Sequence, residues 1–141
     1  MSVDCLLDTN VLVYAAAGRG AEEAKRKRAI ELIKNEAIGL SAQVLQEFYV
    51  TVVCKITVPL SAEEALKWIE QFEAFPCLAI DRALVKIAIE ISQRFQISYW
   101  DGAIIAATET LGAGTLYTED LNHGQLYGSI RVVNPFLSHT R

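Results

Sequence analysis

Five short apolar runs alternate with segments of helical periodicity, and this alternation restricts the fold more than any other feature of the chain. The runs are Val3 to Leu7, Ile38 to Leu40, Cys77 to Ile80, Thr115 to Thr118 and Ile130 to Val133. The first of them, Val3 to Leu7, reads as a short apolar strand of the kind buried in parallel sheets. The first intervening helix spans Ala21 to Asn35, with charges set against Ala24, Ile30, Leu32 and Ile33. Ser41 caps a second helix running to about Lys55, and Pro59 closes that connection. Ser61-Ala62-Glu63-Glu64 has capping-box spacing and opens a helix to about Phe75. Asp81 caps Arg82 to Phe95, and Ser98 with Asp101 has capping-box spacing before a helix that stops at Gly112. Strands alternating with helices predict a three-layer α/β/α domain around a five-stranded parallel sheet. At 141 residues the chain has the size of one domain spanning 1–141.

Composition narrows the class. Hydrophobic residues make up 52% and charged residues 21%, so a globular core is affordable and some apolar surface remains for a partner. No apolar run reaches the roughly 18 residues of a bilayer span, and the N-terminus has no basic signal-peptide region. The expectation is a cytoplasmic protein without a membrane partner. Cys5, Cys54 and Cys77 are odd in number, far apart and within apolar segments, which predicts buried reduced thiols. The net charge of −4 counts against a nucleic-acid partner unless charge is locally organised.

Acidic residues supply that local organisation. Asp8 ends the first run, Asp101 follows Tyr99-Trp100, and Asp120 follows Leu116-Tyr117-Thr118-Glu119. Glu47 borders the apolar stripe formed by Val44, Leu45, Phe48 and Val52. Each has an ordinary structural explanation. Asp8 suits a cap or Asx-turn, Glu47 a side chain reaching past the stripe, Asp101 a capping role and Asp120 a loop. Taken together they differ, because parallel strands bring their carboxyl ends to one edge, where open α/β sheets build sites. Carboxylates gathered there repel one another and call for a cation. Magnesium or manganese takes oxygen ligands and can activate phosphate-ester hydrolysis. Asp4, Asp81 and Glu119 are set aside as a strand residue, a cap and an exposed acid. His123 and His139 are read as solvated, and Gly112 and Gly114 end a helix rather than cradle phosphate.

With those residues in place, the chain resembles PIN-domain ribonucleases, and within them the VapC-like toxins of toxin–antitoxin pairs. The matching segments are Leu7-Asp8-Thr9-Asn10, the Glu47 helix from Ser41-Ala42-Gln43, Tyr99-Trp100-Asp101, Thr118-Glu119-Asp120-Leu121-Asn122-His123-Gly124 and Val133-Asn134-Pro135-Phe136. Each segment is weak alone, while their order and spacing are specific. The resemblance implies that Asp8, Glu47, Asp101 and Asp120 are the catalytic acids holding Mg2+ or Mn2+. It further implies that Asn10, Thr118 and Asn122 support them by hydrogen bonds. It also implies cleavage of single-stranded RNA, a homodimer and a small antitoxin protein that blocks the acids. Gly102, where alanine is more usual, departs from the pattern and weakens the helix locally.

Lys25-Arg26-Lys27-Arg28, with Arg19 and Lys34, can grip RNA phosphates or form a solvated face balanced by Glu22, Glu23 and Glu31. Tyr14, Phe48, Tyr49, Trp68 and Phe72 fit a core better than a base-stacking platform. Two other functions compete with the ribonuclease. A haloacid-dehalogenase-type phosphatase would use Asp8 as nucleophile, but needs a second Asp where Asn10 stands. A non-catalytic PIN-like binding module would act through its partner alone.

Overall fold

The computed structural model describes residues 2–137. Six strands form one sheet in the order β3-β2-β1-β4-β6-β5. They are β1 (Cys5–Leu7), β2 (Ile38–Ser41), β3 (Cys77–Leu78), β4 (Thr115–Tyr117), β5 (Leu126–Tyr127) and β6 (Ile130–Val133). The five expected strands are all present and mutually parallel, with Leu6 facing Gly39 on one side and Leu116 on the other. The sixth, β5, is an addition that pairs antiparallel with β6 through a tight reversal.

Six helices flank the sheet: α1 (Thr9–Ala17), α2 (Glu23–Asn35), α3 (Ala42–Val50), α4 (Ala62–Phe72), α5 (Arg82–Phe95) and α6 (Tyr99–Thr110). Helices α1 to α4 pack among themselves, α5 pairs with α6, and α6 lies on the central strands. The result is the three-layer α/β/α arrangement. Local chemistry sets most starts. The Ser41 hydroxyl accepts from Val44 N, Asp81 from Leu84 N, and Ser61 with Glu64 makes both bonds of a capping box. At Ser98 the hydroxyl accepts from Asp101 N at 3.1 Å, but the short Asp101 side chain makes no return bond.

Three local features go beyond the sequence expectation. Helix α1 was not anticipated. A one-turn 3-10 segment at Gly20–Glu22 precedes α2. The α3 helix continues past Val50 as a π-helical turn, Thr51–Lys55, closed by Ile56 N donating to Thr51 O at 3.2 Å. The cysteines also divide. Cys5 is buried, whereas Cys54 and Cys77 are exposed, because the π turn and the outermost strand β3 carry them to the surface.

The core lies between sheet and helices, centred on Leu6, Leu7, Leu12, Leu40, Phe48, Ile105 and Leu116. Burial also fixes Gly102. A Cβ there would stand 2.7 Å from Ala88 O and 3.0 Å from Ser92 Cβ, so the glycine permits the close crossing of α5 and α6. Its absent side chain is a packing requirement as well as a helix weakness.

Candidate active site

The first strand, β1, lies between β2 and β4, so the chain departs from it in both directions along the sheet. At such a switch point the loops beyond the carboxyl ends part and leave a crevice. Asp8 stands there. Its N–H donates to Tyr117 O at 3.0 Å, carrying the β1–β4 ladder one residue into the site. The carboxylate is buried, 8% exposed, and is held from both sides. Thr9 N donates to Oδ1 and the Thr118 hydroxyl donates to Oδ2, each at 2.7 Å. Asp8 therefore caps α1 as well, as its structural reading expects.

Thr118 is the hub. While donating to Asp8, its oxygen accepts from Asn10 Nδ2 at 3.2 Å and from Asp120 N at 3.0 Å. Asn10 Nδ2 also reaches Asp120 Oδ2 at 3.3 Å, tying the end of β1 to the loop after β4. Glu47 approaches from α3. Its Oε1 accepts from the Thr9 hydroxyl at 2.9 Å and its Oε2 from Gln43 Nε2 at 3.4 Å. Asp8, Thr9, Asn10, Glu47 and Asp120 line one cleft of ≈ 310 Å³.

The electrostatics match this crowding. Burial lifts the Asp8 carboxyl from 3.8 to about 6, opposed by its two hydrogen bonds and assisted by Asp120 and Glu47. Asp120 is also raised, chiefly by desolvation and then by the charge of Asp101. Asp101, in the first turn of α6, acts on Asp120 through its charge and does not line the cleft. Three of the four predicted acids share the cleft, and the fourth lies outside its lining and reaches it by its charge.

Several supporting expectations need correction. The Asn122 amide donates to Gln125 Oε1 at 2.8 Å and makes no hydrogen bond to the acids, because the turn before β5 draws it away. Glu119 is not a free surface acid. It accepts from Lys25 Nζ at 2.6 Å and from the Tyr14 hydroxyl at 2.8 Å, which anchors the loop carrying Asp120. Lys25, Arg26 and Arg28 pair with Glu119, Glu23 and Glu31, so most of the basic run is neutralised internally. Asp4 is exposed and joins no ion pair among the described residues. His123 has a task, accepting from Asn134 N at 3.0 Å, while His139 lies outside the described residues. Phe48 and Phe72 are core, Tyr14 and Trp68 are half-buried and Tyr49 is exposed. The sequence reading missed Thr9 and Gln43. The signals were present in a hydroxyl directly after Asp8 and an amide one helical turn before Glu47.

A hard divalent cation fits this donor set. The cleft presents carboxylate oxygens from three segments, and Asn10 Oδ1 is buried there without a hydrogen-bond partner. An orphaned acceptor among carboxylates suits an ion or its bound water. Among the described residues no three His, Cys, Asp or Glu side chains close into a ready-made cage. Magnesium does not need one, since it keeps several waters and takes few carboxylates.

Comparison with known proteins adds the following. The family profile described as PIN domain matches residues 5–128. No curated protein sequence matches significantly. VapC20 of Mycobacterium tuberculosis, a sarcin-ricin loop cleaving toxin, aligns with a TM-score of 0.62 at 17% identity, covering 83% of this chain and 90% of that one. A toxin–antitoxin complex from Klebsiella pneumoniae gives 0.71 at 16% identity over 94% and 98% of the two chains. FitAB bound to an IR36 DNA fragment gives 0.68 at 22% identity over 97% and 99%. At these identities the structural likeness speaks for the fold.

Proposed function

Since the chain belongs to the PIN domain family, we propose that it is a metal-dependent endoribonuclease that cuts single-stranded RNA as the toxin of a toxin–antitoxin pair. The observation that carries this reading is the convergence of Asp8, Glu47 and Asp120 on one cleft, with the charge of Asp101 acting on Asp120. These four acids would hold Mg2+ or Mn2+, and Asn10 and Thr118 would keep Asp8 and Asp120 in place. The bound ion would polarise the scissile phosphate and help supply hydroxide. The protein's own part is positional. Thr118 and Thr9 N fix both oxygens of Asp8, Thr9 and Gln43 steady Glu47, and Lys25 anchors the Asp120 loop through Glu119.

A protein partner is part of the proposal. Between α2 and α4 an apolar cleft of ≈ 300 Å³ is lined by Ile30, Ile33, Trp68, Phe72 and Phe75. An antitoxin segment would seat there, and the active form would be a homodimer in the cytoplasm, where RNA is available. No helix among the described residues is long and apolar enough to cross a membrane.

Incubating the protein with single-stranded RNA and manganese should give cleavage that EDTA abolishes. Asp8→Asn and Asp101→Asn should each lower the rate by roughly a hundredfold or more, the scale of losing one charge-stabilising group. Cleavage that persists in both variants rejects the assignment.

A further inference from the structure

Beyond the acidic cleft the surface does not close. A second cleft of ≈ 430 Å³ shares Val13, Glu22 and Ile56 with it, and a third of ≈ 330 Å³ shares Thr9, Glu47 and Thr51. Lys55 lines both of these neighbours, and Arg19 lines the larger. The three clefts thus adjoin through shared walls, with the acids in the middle one, Glu22 on the wall shared with the largest, and two cations in the outer ones, and together they outline a trough. Lys55 reaches it because α3 widens into the π turn Thr51–Lys55, an irregularity often found at functional sites. Arg19 reaches it from the extended residue between α1 and the 3-10 segment. Both are exposed, and neither belongs to an ion pair among the described residues, unlike Lys25, Arg26 and Arg28. Arg19 feels Glu64 only through space.

We propose that Arg19 and Lys55 form a phosphate-binding subsite that holds the backbone of single-stranded RNA flanking the cleavage position. The proposal rests on the ribonuclease reading. It also moves the phosphate grip away from the Lys25-Arg26-Lys27-Arg28 run, three of whose four cations are already paired. Two cations in the outer clefts and clustered acids in the middle one give the strand a preferred path. A flanking phosphate meets Arg19 and Lys55 while the scissile one meets the acids. Glu22, at the junction, disfavours a phosphate between the two positions.

The test compares Arg19→Gln/Lys55→Gln with a control of equal charge change, Lys27→Gln/Lys34→Gln. Binding of a labelled single-stranded RNA dodecamer is measured in an Asp8→Asn background with manganese, across a salt series. Each lost phosphate contact should make the log–log salt slope shallower by about 0.7 and weaken binding about fivefold at 0.1 M salt. The trough pair, which loses two contacts, should show a slope shallower by about 1.4 and binding about 25-fold weaker, and the control much less. With Asp8 intact, KM for the dodecamer should rise while kcat is retained. Hydrolysis of bis(4-nitrophenyl) phosphate, too short to reach the trough, should be unchanged. Cleavage by the parent combined with unaltered affinity and slope in the trough variant overturns the subsite alone. Equal losses in the control assign the effect to net charge and also overturn it. RNA binding that depends on Arg19 and Lys55 without any cleavage keeps the subsite and rejects the nuclease. Failure of the parent to bind RNA rejects both. A poly-glutamate peptide that binds this pair more tightly than RNA makes the trough a polypeptide site and overturns the RNA assignment.

Discussion

Thr118 is fully buried and serves three groups with one hydroxyl, so it is the most sensitive single position in the cluster. Thr118→Val keeps the shape but strips Asp8 of a donor and Asp120 N of its acceptor, and leaves Asn10 Nδ2 with Asp120 Oδ2 alone. A loss of about 2–3 kcal/mol is expected, the cost of orphaning buried polar groups. Thr118→Ser retains the hydroxyl and should lose only about 1 kcal/mol, from the missing methyl. Urea denaturation of the two variants checks this, and equal losses would show that the hydroxyl is not the hub. Asp8 and Asp120 were legible in the sequence because each follows an apolar run, and parallel strands align such ends. Glu47 was legible from its place beside an apolar helical stripe. Thr9 was not, since its partner is 38 residues away and only the approach of α3 to α1 joins them. Asn122 was misread for the opposite reason, as a local turn bond to Gln125 outcompetes a distant one.

Helix propensity and packing disagree at Gly102. Alanine should favour α6 by about 1 kcal/mol. Its Cβ would meet a backbone oxygen at 2.7 Å, however, and overpacking against an unyielding neighbour costs about 1–3 kcal/mol. Gly102→Ala should therefore destabilise by up to about 2 kcal/mol net in thermal melts, and a stabilised variant would show that the helices can part freely. The sequence could weaken the helix on paper but could not reveal the crossing. Helix α1 escaped notice because its nine residues, Thr9 to Ala17, are nearly all apolar, so no polar face marks a helical period. The π turn likewise left no signature, since Thr51 to Lys55 extends the helical pattern of α3 without a breaker. Elements with caps at their starts, α3 to α6, were placed correctly because serine and aspartate announce them.

Over the molecule as a whole, the acids set an internal conflict that pH and metal should expose. The Asp8 carboxyl is raised to about 6 in the fold, so the folded state binds a proton that the unfolded chain releases. The stability this contributes is complete below about pH 4 and is lost as the pH passes 6. The interval of about two pH units corresponds to about 3 kcal/mol. In EDTA, the stability of Asp8→Asn relative to the parent should accordingly improve by a similar amount between pH 4 and 7, read by urea denaturation. A flat difference would mean that the carboxylate is solvated. Asp101→Asn should melt at or above the parent without metal and below it with manganese, which binds the folded parent alone. If manganese leaves the parent's melting unmoved, the acids do not hold an ion. The order of strands carries one more consequence. Both flanks of the sheet finish in two-residue strands, β3 and β5, which offer almost no unpaired backbone to a passing chain. The sheet is thereby guarded against edge-to-edge growth of the amyloid kind.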